Sequence, residues 1–405
     1  MKIVLIDKEE LHKVGGVGVY TTRFYHHLNS LGHQAIILRF TKNKPKEKYI
    51  CRVPYYFAEA RSYVFLPSEK TLQIIRDYLI KFNPDIVYTA IGLSPFDFLL
   101  PSLVHNRQIP LVGTLHLDFS QNLSAYQLLT KSIILVNLPI CKQLDLVQAF
   151  SSKLAHFYID KGIPKEKILV LPNGADHQFY SPGKSSFKKS SGINTGVLLL
   201  GRLTLQKNPE VLIKSFLSLD PSVDTKLVLV GHGDLEKQLK KKYHDKRLIF
   251  TGAIEDEQKK LDIIRSCQIF VLPSRFEGMP LALLEAMSCG LACVGSDAGA
   301  NSELLESAGI VIPTAKLADQ LPVVLRILLD YPDFTANLGK KARRKVVKFY
   351  SQKILFNRLI SAFQDTISNY KKRKPLPTKL ADLDLIIAKK LKSLWQKAKQ
   401  LSVDI

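Results

Sequence analysis

Glu277 and Glu285 lie eight residues apart in the stretch Phe276-Glu-Gly-Met-Pro-Leu-Ala-Leu-Leu-Glu-Ala-Met-Ser-Cys-Gly290. The apolar run Gln268 to Leu272 reads as a buried strand entering the loop Pro273-Ser-Arg-Phe276. A helix is expected to start near Met279-Pro280, because proline suits the first turn, where its missing N–H costs nothing. The first carboxylate then sits in the loop before the helix and the second about one and a half turns inside it. Between them lie the free N–H groups of a helix N-terminus, which attract an anion. A phosphate held there would put a sugar on the Glu277 side and a ribose near Glu285.

Other loops supply groups of complementary chemistry. Val197-Leu-Leu-Leu-Gly-Arg-Leu-Thr-Leu-Gln-Lys-Asn-Pro-Glu210 places Arg202 and Lys207 just after a strand. Arginine offers a planar fork of donors and lysine a point charge, so the two can grip a diphosphate and offset the charge it gains as a leaving group. Gly231 and Gly233, in Val230-Gly-His-Gly-Asp234, allow close approach of backbone to a ligand. The loop Thr251-Gly-Ala-Ile254 is expected to line the same cleft. Gly15-Gly16 follow the first strand, and His116, in Gly113-Thr-Leu-His-Leu-Asp118, follows another. Three patterns are set aside. Asp382-Leu-Asp384 lies in a basic tail rather than after a core strand. No Gly-x-x-x-x-Gly-Lys-Ser/Thr loop occurs. Gly16-Val-Gly18 lacks the third glycine of a dinucleotide fingerprint.

Strands alternating with helices must position these residues. Strands are expected at Lys2 to Asp7, Gln34 to Arg39, Ile86 to Thr89, Leu111 to Thr114, Ile133 to Val136 and Ile168 to Leu171, with a helix over Val19 to Leu31. The small, polar, basic stretch Ser181 to Gly192 reads as a linker. The alternation restarts with strands at Val197 to Leu200, Lys226 to Val230, Leu248 to Thr251, Ile269 to Leu272 and Leu291 to Val294. This pattern predicts an α/β protein with two Rossmann-like, doubly wound parallel-sheet domains facing a cleft, where such folds bind ligands. The expected division is a first domain over 1–180, a linker over 181–195 and a second domain over 196–352. A helix over 353–370 then crosses back toward the first domain, and a basic amphipathic tail covers 371–405.

The 405 residues are 46% hydrophobic and 23% charged, the composition of a globular protein. The first residues turn polar at Asp7 and read as a strand rather than a signal. The longest apolar run, Ile133 to Cys141, is about half the length a membrane span needs. Five cysteines show neither CxxC nor zinc spacing. They read as the reduced thiols of a cytoplasmic protein, and no metal site is expected. The net charge of +22 calls for an anionic partner. No recognised nucleic-acid module is present, so no nucleic-acid partner is expected.

Taken together, these residues resemble the retaining glycosyltransferases of family 4, which have the two-domain GT-B architecture. The resemblance runs from Met1 to about Gln364. It is carried in order by Gly15-Gly16, Thr114-x-His116, Asn173-Gly-Ala-Asp176 with Phe179 and Pro182, Gly201-Arg202 with Lys207, Gly231-x-Gly233, Phe250-Thr-Gly252, and the Glu277/Glu285 pair. The resemblance implies a hexosyl- or glycosyltransferase that retains anomeric configuration and takes its sugar from a nucleotide-diphosphate donor bound mainly by the second domain. Arg202 and Lys207 would hold the diphosphate, and the backbone of Gly278, Met279, Pro280 and Leu281 would cap its distal phosphate. Glu285 would take the ribose hydroxyls and Glu277 the sugar hydroxyls. His116 would reach the sugar from the opposite domain, with Gly16 shaping the phosphate and acceptor site. The family usually needs no divalent metal and no cofactor. Two departures stand out: Gly290-Leu-Ala-Cys-Val294 for the usual Gly-Leu-Pro-Val-Val, and Gly299-Ala-Asn-Ser-Glu303 for Gly-Gly-x-x-Glu. A catalytically silent GT-B protein that binds a nucleotide or a membrane, or a sugar-nucleotide epimerase, are the competing readings.

The segment 371–405 carries ten Lys/Arg against three Asp. Leu380, Leu383, Ile387, Leu391, Leu394, Ala398 and Leu401 recur at spacings of three and four, with Trp395 beside the stripe. That is the pattern of a basic amphipathic helix, which either lies on an anionic membrane surface or packs on the body of the protein or a second subunit. The expected acceptor is therefore a glycan or a lipid-linked species, in polysaccharide, lipopolysaccharide or glycolipid synthesis. The expected location is the cytoplasm, peripheral on the inner face of the plasma membrane.

Overall fold

The computed structural model describes residues 1–8, 16–41, 45, 47–55, 57–59, 64–92, 94–115, 135–220 and 224–370. Two compact units emerge. The first comprises the described residues of Met1–Leu117 and Asn122–Leu171 together with 356–370; the second is built on Pro172–Leu355.

In the first unit, seven strands form a parallel sheet: β1 (Lys2–Asp7), β2 (Gln34–Phe40), β3 (Ile50–Val53), β6 (Ile86–Ile91), β7 (Leu111–Leu115), β8 (Leu146–Ala149) and β9 (Ile168–Val170), in the order β3-β2-β1-β6-β7-β8-β9. Two short strands, β4 (Phe57–Glu59) and β5 (Val64–Leu66), pair separately and antiparallel. β6 is buried at every position, as expected of a strand covered on both faces. The helix Gly16–Ser30 buries Val17, Tyr20, Thr21, Phe24 and Leu28 at helical spacing. Phe24 stands 5.0 Å from Phe356 and 5.8 Å from Phe363, so the last helix, Gln352–Ser368, completes this core. At the carboxyl end of β1, Asp7 takes the Arg39 guanidinium and Lys8 meets Asp97, with all four side chains buried.

The second unit holds six parallel strands: β10 (Thr195–Leu200), β11 (Thr225–Val230), β12 (Leu248–Gly252), β13 (Ile269–Leu272), β14 (Ala292–Ser296) and β15 (Ile310–Ile312), in the order β12-β11-β10-β13-β14-β15. Strand order reverses between β10 and β13, and ligands of open α/β sheets sit at the carboxyl ends of strands flanking such a switch. The core joins Val197, Leu199, Val271 and Val294 of the sheet to Leu212 and Phe216 on one helix and Leu321, Leu325 and Leu328 on another.

Three expectations need correction. Residues 135 and 136, expected in a strand, are helical, in a segment running through 143. An apolar run of this length fits strand or helix, and here burial of Asn137, Ile140, Cys141 and Leu144 follows the helical period. The chain passes from the first unit to the main body of the second between Leu171 and Pro172, rather than near 180. Residues 181–195, expected as a linker, belong to the second unit: Ser186–Ser190 form a helix capped by Ser185. Asp262 holds that helix through the Ser186 N–H at 2.9 Å and the Phe187 N–H at 3.0 Å. Small polar residues look like a linker in sequence because their partner lies more than seventy residues away.

Candidate active site at the sheet switch point

The loops after β10 and β13 supply the charged groups. β10 ends at Leu200, and at Gly201 (φ +154°) the chain turns into the loop carrying Arg202, Gln206 and Lys207. Asn208, in the left-handed region at φ 51°, begins the helix Pro209–Leu217 and donates from Nδ2 to Pro273 O at 3.3 Å. Arg275 N–H donates to Gln206 O at 2.8 Å, and Gln206 Nε2 to Phe276 O at 3.2 Å. The two loops are thus laced side by side, and Lys207 Nζ reaches Glu277 Oε1 at 2.6 Å. Ser274 Oγ donates to the same oxygen at 2.5 Å. Glu277 is 4% exposed, so its charge depends on these two donors. Arg202 is exposed, with one guanidinium nitrogen 3.4 Å from Gln206 Oε1.

Beyond Glu277, Gly278, Met279 and Pro280 lead into the helix Leu281–Ser288. Pro280 is extended (φ −74°, ψ 115°) and precedes the first turn, rather than lying in it as expected. No side chain caps this helix, which leaves its first N–H groups available to an anion. Glu285, the fifth helical residue, is 3% exposed and lies 3.4 Å from Lys260 Nζ. That ammonium also pairs with Glu257 at 2.7 Å and stands 5.3 Å over the Tyr180 ring.

Close backbone approach explains three glycines. A Cβ on Gly231 (φ +136°) would lie 1.9 Å from Gly201 O, and one on Gly233 2.4 Å from Leu203 O. A Cβ on Gly299 (φ +57°) would lie 2.2 Å from Glu277 O. Ile254 is half-buried just after β12.

Arg202, Lys207, Gly231, Ile254, Glu277, Gly278, Met279, Pro280, Leu281 and Glu285 therefore all belong to the second unit, and the Lys207–Glu277 pair is in direct contact. Gly16 is the exposed first residue of the helix Gly16–Ser30 in the first unit. His116 and the segment 371–405 lie outside the described residues. Gln206 and Lys260 carry no local sequence signal, because they meet Phe276 and Glu285 only through the fold, whereas Ser274 lies three residues before Glu277 and was missed although its contact is local. Burial pushes the Cys267 and Cys289 thiols up to about 12 and raises Cys293 well above its ordinary value, so none is a thiolate near neutral pH. Among the described residues no group of three or more His, Cys, Asp or Glu could hold a metal ion, and no helix is long and apolar enough to cross a membrane.

Two α/β units, each built on a parallel sheet, and in the second an anion-ready helix N-terminus with paired charges at a switch point, make an architecture that suits an anionic ligand at the strand ends. Comparison with known proteins narrows the class. Residues 14–179 match the model of Glycosyltransferase Family 4, and residues 194–330 that of Glycosyl transferases group 1. Among relatives, the UDP-Gal:alpha-D-GlcNAc-diphosphoundecaprenol alpha-1,3-galactosyltransferase of Escherichia coli is 31% identical over 46% of this chain, spanning 51% of that protein. A GDP-mannose-dependent alpha-mannosyltransferase of Corynebacterium glutamicum is 28% identical over 82% of this chain and 81% of its own length. The fold matches that of Anabaena HepE, solved in complex with UDP, with a TM-score of 0.71 at 18% identity, covering 90% of this chain and 100% of that one. Sucrose-phosphate synthase from Thermosynechococcus elongatus gives a TM-score of 0.72 at 19% identity, covering 91% and 99%. The chain belongs to the family 4, group 1 glycosyltransferases and has the GT-B fold.

Proposed function

We propose that this protein transfers a sugar from a nucleoside-diphosphate donor to a hydroxyl acceptor with retention of anomeric configuration. The observation that carries the reading is the Lys207–Glu277 pair beside the uncapped helix start at Leu281. The diphosphate lies against the N–H groups of Gly278, Met279 and Leu281, with Arg202 and Lys207 as its countercharges. Lys207 and Ser274 both occupy Oε1 of Glu277, which leaves Oε2 to accept from a sugar hydroxyl. Glu285, on the same helix, takes the ribose. Gly231 and Ile254 line the same site from the loops beyond β11 and β12.

In the transfer step the bond from the anomeric carbon to the donor phosphate oxygen breaks, and a bond to the acceptor oxygen forms on the same face. The acceptor proton passes to an oxygen of the departing diphosphate. The cations offset the charge this group gains, so no divalent metal is required. The E. coli relative is named for UDP-galactose and a diphosphoundecaprenol-linked sugar, and the C. glutamicum relative for GDP-mannose. These names support a UDP or GDP donor and a glycan or lipid-linked acceptor, in cell-surface polysaccharide, lipopolysaccharide or glycolipid synthesis. The basic segment 371–405 suits work at the cytoplasmic face of an anionic membrane.

A thermal-shift screen against UDP-, GDP- and ADP-sugars, with and without EDTA, tests the donor. A ligand at 100 times its Kd stabilises the fold by about 2.7 kcal/mol, a shift of a few degrees. A selective, EDTA-insensitive shift is expected. The absence of any shift in folded protein overturns the reading, and loss of the shift in EDTA overturns its metal-free form.

A further inference from the structure

Asn173 is the second residue of the second unit and is 5% exposed. Its Nδ2 donates to Met279 O at 2.8 Å, in the loop between Glu277 and the helix Leu281–Ser288. A carbonyl only accepts, so the amide nitrogen must face Met279 and Oδ1 must face away. Oδ1 is buried and has no hydrogen-bond partner among the described residues. A buried acceptor left unmet is costly, and such groups in a folded protein call for a specific explanation.

The backbone that carries Asn173 is fixed on its far side. Ala175 N–H donates to Tyr350 O at 2.9 Å, and Gln352 N–H donates back to Ala175 O at 3.0 Å. Gly174 lies so close that a Cβ there would stand 2.8 Å from the Gln352 backbone. The side chain of Asn173 thus ties a rigid segment, the one by which the chain enters the second unit, to the loop that presents the N–H groups. Neighbouring parts of that loop have their own holds: Gln206 on Phe276 O, Lys207 and Ser274 on Glu277, and Ala300 N–H on Gly278 O at 3.1 Å. At Met279 the hold is Asn173.

We propose that Asn173 is a positioning residue for donor binding. It sets Met279 so that the N–H groups of Gly278, Met279 and Leu281 face the donor diphosphate, and its open Oδ1 takes its hydrogen bond in the ligand-filled site. The inference rests on the nucleoside-diphosphate reading above and assigns that site a residue that does not touch the phosphates.

Calorimetric titration of full-length protein with UDP, GDP and inorganic pyrophosphate provides the test, in wild type, Asn173→Leu and Asn173→Asp. Leucine has the same branching and number of heavy atoms as asparagine, adds no charge and removes the hydrogen bond. The expected result is about a tenfold or greater loss of affinity at every pH in Asn173→Leu, with the denaturation midpoint of the empty protein nearly unchanged. Asn173→Asp should bind poorly at pH 8 and recover as pH falls, because a protonated carboxyl can again donate to Met279 O. Wild-type affinity in Asn173→Leu overturns the inference, as does a loss matched by an equal drop in stability. If wild type itself binds none of the three probes, the donor reading falls first and takes the inference with it.

Discussion

Lys207 and Glu277 partner each other in the structure, so substitutions at the two positions should have opposite signatures. Glu277→Ala frees Lys207 for the diphosphate and removes the acceptor for the sugar. Transfer should fall by about 100-fold or more, while affinity for the nucleoside diphosphate holds or tightens. Wild-type turnover would remove Glu277 from the site. Lys207→Met leaves a carboxylate that is 4% exposed with Ser274 as its remaining donor. Breaking a buried pair in this way costs about 3 kcal/mol, read as a lower urea midpoint, together with weaker diphosphate binding. An unchanged midpoint would mean that the pair opens freely in solution. The two glutamates were legible as residues because their spacing around an expected helix start is local information. Their partners were not: Lys207 is seventy positions from Glu277 and Lys260 twenty-five from Glu285, distances only the folded sheet closes.

Elements were legible where their chemistry is local. β10 and β13 are continuous apolar runs between polar loops, and both emerge close to where the residues place them. β8 escaped notice because Leu146-Val-Gln-Ala149 contains a glutamine. Gln148 is fully buried, accepts from Tyr88 OH at 2.8 Å and donates to Leu171 O at 3.0 Å. The structure accommodates the departure at Gly299-Ala300, where the usual pattern has two glycines. Ala300 has φ −82°, which any residue adopts, whereas Gly299 has φ +57° and packs on Glu277 O. Position 299 is therefore the one that needs glycine. Gly299→Ala should cost at least about 1–2 kcal/mol for the left-handed backbone alone, and should weaken donor binding by pushing on Glu277. Differential scanning calorimetry and a diphosphate titration would read the two effects, and preserved binding would detach this contact from the site. The buried thiols of Cys141, Cys267 and Cys289, raised to about 12, stay protonated at pH 8. They should resist a thiol reagent until the protein unfolds, leaving the half-exposed Cys51 as the first to react.

Charge is the property of the whole molecule that most needs a partner. The net +22 is unevenly spread: residues 334–364 contain eight Lys/Arg and no Asp or Glu, and 371–405 adds ten Lys/Arg against three Asp. In the helix Pro332–Phe349 the inward stripe is Thr335, Leu338, Gly339, Ala342 and Val346, which leaves Lys340, Lys341, Arg344 and Lys348 facing water. Each basic residue near an anionic bilayer contributes on the order of 1 kcal/mol, so the final segment alone could hold the protein at such a surface. The apolar stripe from Leu380 to Leu401 would add buried area that salt does not screen. Removing 375–405 should therefore release the protein from vesicles rich in anionic phospholipid, measured by co-sedimentation, and leave its diphosphate affinity unchanged. Raising the salt should weaken binding of the full-length chain only in part, because the apolar contribution survives screening. Complete release by salt would mean that the stripe packs elsewhere and charge alone makes the contact. Unchanged sedimentation of the truncated chain would move the contact to the body, where the exposed cations of Pro332–Phe349 are the next residues to reverse.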